Sequence, residues 1–169
     1  MKKYLSPLIV GFGAGVLSIV PVAKSFGCCL IIPIAAFIAL LLDQKAKNDY
    51  SKIEIKKGLI FGLFTGLYAA LFGSVFDFFI TFVTKNNDIV ATFSELQKVI
   101  TEFPISEALK EDVMIILGGV VESIKDTGFS LLYTLSVLVN NTIMNSVFGM
   151  LGGIIGAQIL NTRSRKNIE

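Results

Sequence analysis

Four stretches of the chain are almost unbroken runs of apolar residues: 5–23, 26–42, 58–83 and 129–160. A helix crossing a bilayer needs roughly 17–25 such residues to match a hydrocarbon core of about 30 Å. The first run supplies nineteen, and the second reaches the lower limit only when Phe26 and Gly27 are counted. In the fourth, residues from about 136 to 160 form the crossing. Only "KSFG" separates the first two runs, which predicts a tight antiparallel hairpin, with a local bend at Pro21 and another at Pro33. Between the third and fourth runs the pattern changes. Ile89, Phe93, Leu96, Ile100 and Phe103 recur at helical spacing, with Thr92, Glu95, Lys98 and Glu102 on the other side. Asn87 or Asp88 is placed to cap that helix, and Pro104 to close it. Ser106 opens a second helix with Glu107, Glu111 and Asp112 in its early turns, where acids suit the helix dipole. Its centre, "VMIILGGVV", is apolar all round but too short to cross. It is expected to lie in the interface or over the bundle, with a re-entrant dip at Gly118–Gly119 as the alternative. The predicted fold class is therefore all-α. Residues 1–169 form a single membrane domain, an integral membrane bundle of four transmembrane helices with an amphipathic helical insert, residues 85–127, between the third and fourth.

The cations assign sides to this layout. Ten lie at one level: Lys2, Lys3, Lys45, Lys47, Lys52, Lys56, Lys57, Arg163, Arg165 and Lys166. The other five, Lys24, Lys85, Lys98, Lys110 and Lys125, are spread over a longer stretch at the opposite level. The positive-inside rule then puts both termini, the 43–57 loop and the 161–169 tail in the cytoplasm and the insert outside. The expected location is a bacterial cytoplasmic (inner) membrane, with several passes. The insert carries eight acidic and four basic residues. The start "MKKYLSPLIVGFGAGVLSIV" has the basic end and apolar run of a signal peptide. It lacks an A-x-A-like site and leads straight into a second apolar run, so it is expected to stay as the first crossing.

Composition narrows the chemistry. The chain is 53% hydrophobic and 17% charged, short of the quarter charged usual in soluble domains. It contains no histidine, the commonest general base and metal ligand, and no tryptophan, so interfacial anchoring falls to Tyr, Phe, Lys and Arg. Cys28 and Cys29 are adjacent and supply neither a disulfide framework nor a metal site; they are expected to be small buried hydrophobes. "GFGAG" lacks the preceding strand and downstream acid of a dinucleotide site. No nucleophile–base pair is visible, so neither enzymatic activity nor a cofactor or metal is expected.

The glycines and the few intramembrane polar groups are the candidate functional residues. Gly11 and Gly15 in the first run, Gly62, Gly66 and Gly73 in the third, and Gly149, Gly152, Gly153 and Gly156 in the fourth recur at spacings that let helix backbones approach closely. Gly66, Ala70, Gly73 and Asp77 fall within about 60° of one another, so Asp77 should point into protein. It lies near the outer boundary, either partly hydrated or paired with Lys24 or Lys85. Asn141 and Asn145 share an arc of about 80° with Gly149, Gly152 and Gly156, at nearly the depth of Asp77. With Ser74 these residues make a candidate polar patch, read as inter-helix hydrogen bonding or as a site for a polar ligand or ion.

"GFGAGVLSIV", the lysine-rich loop running into "IKKGLIFGLFTGLYAAL", and "FGMLGGIIGAQIL" before a basic tail together resemble an uncharacterised family of small four-helix bacterial integral membrane proteins, a domain of unknown function in Bacteroidetes-like lineages. The resemblance implies the four-crossing topology and carries no activity. The expected function is a small non-enzymatic membrane component. It would be a scaffold or accessory subunit that contacts membrane lipids and other membrane subunits or copies of itself through its glycine faces and acidic insert. The alternatives are an oligomeric transporter or channel using Asp77, Asn141 and Asn145, and a module sensing lipid or envelope stress. No nucleic-acid partner is expected.

Overall fold

The computed structural model describes residues 4–20 and 26–166, and among these the regular elements are all helical. They are α1 (Leu5–Leu17), a π-helical turn (Gly27–Ile31) leading into α2 (Ile32–Lys47), α3 (Ile55–Thr84), the short α4 (Asp88–Ala91), α5 (Phe93–Glu102), α6 (Glu107–Thr127) and α7 (Leu131–Lys166). Three helices are long and apolar enough to cross a membrane: Cys29–Lys47, Ile55–Thr84 and Leu131–Arg163. The first predicted crossing, 5–23, is shorter as a helix. α1 ends at Leu17, four residues before Pro21, whose ring in a continuing helix would strike the Leu17 carbonyl. The Ser18 hydroxyl donates to Gly15 O at 2.7 Å at this end. Residues 21–25, with the predicted bend at Pro21, most of the hairpin turn and Lys24, lie outside the described residues.

The helix at the second predicted crossing, 26–42, continues through Asp43 and Gln44 to Lys47. Pro33 sits in its first turn, where a missing N–H is tolerated, and Asn48 closes it in the left-handed conformation (φ 49°). α3 and α7, of 30 and 36 residues, would be about 45 and 54 Å long, well beyond one hydrocarbon core.

The chain clusters into two compact units: Met1–Phe76 with Leu138–Glu169, and Asp77–Val137. In the first, small residues replace large ones at every close crossing. Gly58, Gly62 and Gly66 of α3 lie against the backbone of Gly153, Gly149 and Asn145 of α7. A Cβ on Gly58 would be 2.6 Å from Gly153 O, and those on Gly62 and Gly66 would overlap the facing carbonyl oxygens. Gly11 and Gly15 of α1 abut Thr65, Tyr68, Ala69 and Gly73 of α3, while Gly152 and Gly156 abut Pro33 and Phe37 of α2. Two buried clusters fill the remaining space: Leu40, Ile53, Phe61, Ala157 and Leu160, and Ala14, Ile32, Ala35 and Ala69. Other large side chains point outward. Ile34, Ile38 and Leu42 on α2, and Ile143, Val147, Leu151 and Ile155 on α7, form exposed stripes at four-residue spacing.

The second unit contains the insert. The Asn87 side chain caps α4, accepting from Val90 N at 3.1 Å, and α5 ends at Glu102, just before Phe103 and Pro104. Ser106 precedes α6, which runs unbroken through Gly118–Gly119, both facing open space. Val120, Val121 and Ile124 are its buried face, while Ile115 and Ile116 are exposed. Gly128 ends the helix at φ +76°, and an added Cβ there would lie 2.5 Å from Phe82 O, so both conformation and space require glycine. Phe78 and Phe129 meet edge to face, with ring centroids 5.9 Å apart.

Candidate functional site: inter-helix polar pairs and a charged clasp

Side-chain hydrogen bonds tie residues of the predicted polar patch to neighbouring helices. In the first unit, Asn141 Nδ2 of α7 donates to Ser74 Oγ of α3 at 3.0 Å. Asn145, one turn on, is buried, with its backbone carbonyl against Gly66. In the second unit, the Tyr133 hydroxyl donates to Asp77 Oδ2 at 3.1 Å, and both residues are half-buried. Lys85, one expected partner of Asp77, donates from Nζ to Asp126 O at 2.6 Å. Sequence reasoning missed Tyr133 because it lies about 80° around α7 from Asn141, off the asparagine–glycine arc. Its long side chain carries the hydroxyl beyond that arc. Each pair joins two helices, and such bonds are worth about 0.6–2 kcal/mol within a bilayer.

The predicted glycine-stripe residues all meet other parts of this chain, as the fold requires for backbones to approach closely. Cys29 departs from expectation: it is exposed where a buried side chain was predicted. The π-helical turn around it accounts for the shift, since an added residue per turn rotates the following side chains off the α-helical face. The side chain of Cys28 lies outside the described residues. Among the described residues no cluster of three or more His, Cys, Asp or Glu is arranged to hold a metal ion.

A second polar centre, at the lysine-rich end of the first unit, was not singled out in the sequence. Asp43, 2% exposed, has Lys47 Nζ at 2.6 Å from one carboxylate oxygen and Lys57 Nζ at 2.8 Å from the other. Lys57 also lies 5.6 Å from the centre of the Phe61 ring. Gln44 is buried beside Asp43 in sequence, and its Nε2 has no hydrogen-bond partner. The non-helical segment before α3 leaves backbone groups to satisfy, and the Asn161 side chain of α7 takes both from one residue. Its Oδ1 accepts from Ile53 N at 2.7 Å and its Nδ2 donates to Ile53 O at 2.9 Å. In the adjoining turn, hydrogen bonds from Ser51 hold Asp49 below the usual carboxylate range. This clasp ties the loop between α2 and α3 to the end of α7. Its signal in the sequence is faint: Asp43 directly follows "IALLL", and Asn161 ends the last apolar run.

The fold defines a class: among the described residues the regular elements are all helical, and three of the helices are long and apolar enough to cross a membrane. No family model matches the chain, and no curated protein or solved structure matches it.

Proposed function

We propose that this protein is a small non-enzymatic integral membrane component, a scaffold or accessory subunit, in the cytoplasmic membrane of a bacterium. Its four apolar segments cross the bilayer, with both termini and the 43–57 loop on the cytoplasmic side and the 85–127 insert outside. The resemblance to the four-helix family of unknown function belongs to the same proposal. The observation that carries it is the exterior of the first unit: long exposed stripes of Ile, Leu and Val surround an interior where glycine and alanine pack beside Leu40 and Phe61. In water an apolar exterior of this extent would aggregate, whereas hydrocarbon solvates it at no cost.

The glycine faces are occupied by the protein's own helices, so partner contacts fall to the insert. There Ile115 and Ile116 are exposed on α6, whose early turns carry Glu107, Glu111 and Asp112. The polar pairs act as inter-helix ties, which favours the scaffold over a transport site at Asp77, Asn141 and Asn145. Gentle detergent extraction followed by amine cross-linking from Lys98 and Lys110 tests the reading. A constant partner should be captured, and charge reversal at Glu111 and Asp112 should abolish its capture. Recovery of a partner-free monomer from native membranes would refute it.

A further inference from the structure

An apolar groove of about 310 Å3 runs between α1 and α2, lined by Val10, Gly13 and Leu17 on one side and Ile31, Ile34 and Ile38 on the other. We infer that it seats one acyl chain of an anionic glycerophospholipid whose phosphate is held by Lys45. The inference rests on the membrane-spanning reading above and adds a ligand to it.

Three features of the chain converge on that ligand. The lining is almost wholly apolar. At about 30 Å3 for a group the size of a water, the groove takes on the order of ten methylene-sized groups, the greater part of one chain. Charge then appears where a headgroup would be. Ile31, Ile38 and Lys45 are seven residues apart, so they share a helix face within about 20° per step, and Lys45 stands roughly 10 Å beyond Ile38. Between them the exposed Ile34, Ile38 and Leu42 continue the apolar track up to the exposed lysine. The spacing also fits a bilayer. With hydrocarbon beginning near Leu42, the last residue of the apolar run, one leaflet of about 15 Å reaches about as far as Ile31, so a chain whose phosphate sits at Lys45 runs past Ile38 and Ile34. The lysine-rich side is the one where anionic lipids concentrate their attraction for cations.

Gly13 makes the test clean, because a Cβ added there meets nothing within 4 Å. Gly13→Leu therefore starts from an unobstructed Cβ and places a branched side chain where the acyl chain would lie. Native mass spectrometry of the detergent-solubilised protein, with equimolar phosphatidylglycerol and phosphatidylcholine added, reads the result. Wild type should retain one phosphatidylglycerol with about fivefold preference, the value of one lysine–anionic lipid contact. Gly13→Leu should lose most of that adduct, and Lys45→Gln should bind both lipids without preference. Equal retention by Gly13→Leu and wild type, no headgroup preference in wild type, or a dimer that Gly13→Leu dissociates would each overturn the inference. Extraction separates this failure from that of the underlying reading. A chain released by alkaline carbonate would defeat the membrane-spanning proposal, whereas one that needs detergent but retains no lipid defeats only the groove.

Discussion

Replacing Gly62 with alanine should separate α3 from α7 and destabilise the protein by about 2–3 kcal/mol. The added carbon would overlap Gly149 O and lie 2.7 Å from Gly149 C and 3.1 Å from Met150 Cα. Carbon contacts relax to 3.5–4.0 Å, and every obstructing atom belongs to the backbone, so the two helices must part by roughly 1 Å. A gap of 0.5–1 Å forfeits a quarter to a half of each dispersion contact. Here the loss spreads along the whole seam from Gly58 to Gly66, about 12 Å of helix. The control is Gly13→Ala, which meets nothing and gains helix propensity, so it should be neutral or stabilising by up to about 1 kcal/mol. Reversible unfolding in mixed micelles of mild detergent and dodecyl sulfate, followed by far-ultraviolet circular dichroism, measures both. If the two variants differ by less than about 0.5 kcal/mol, the close approach of α3 and α7 is wrong.

Two further substitutions probe the polar contacts. Asn161→Ala removes both hydrogen bonds to Ile53 and should cost about 1–2 kcal/mol, with faster tryptic cleavage at Lys52; unchanged cleavage would mean that the clasp does not hold the loop. In a double-mutant cycle, Ser74→Ala and Asn141→Ala should show a coupling near 0.6 kcal/mol, and strict additivity would show that the bond between them does not form in the membrane.

Most of the helical pattern was legible because it depends on local chemistry. The apolar run 58–83 specifies most of α3, the Asn87 cap opens α4, the break before Pro104 closes α5, and glycines four apart marked the crossing points with their neighbours. The differences arise where distant groups meet. α2 continues past Leu42, and there Asp43 meets Lys57 across the following loop as well as Lys47 one turn on. No periodicity encodes that meeting. Tyr133 went unnoticed for the same reason, since its hydroxyl reaches Asp77 from 56 residues away and from outside the arc that aligned the asparagines. The shortness of α1 was within reach, given Pro21, but hydropathy alone counts residues without asking whether the helix continues through them.

The account stands most directly on which side of the membrane each segment lies. In a background carrying Cys28→Ser and Cys29→Ser, single cysteines at Lys3, Asn48 and Lys98 can be treated with a membrane-impermeant maleimide in intact cells. The layout proposed here predicts that Lys98→Cys is labelled at once, while Lys3→Cys and Asn48→Cys react only after permeabilisation. Labelling of Lys3→Cys and Asn48→Cys from opposite faces, or of Lys98→Cys from the same face as Asn48→Cys, would contradict it.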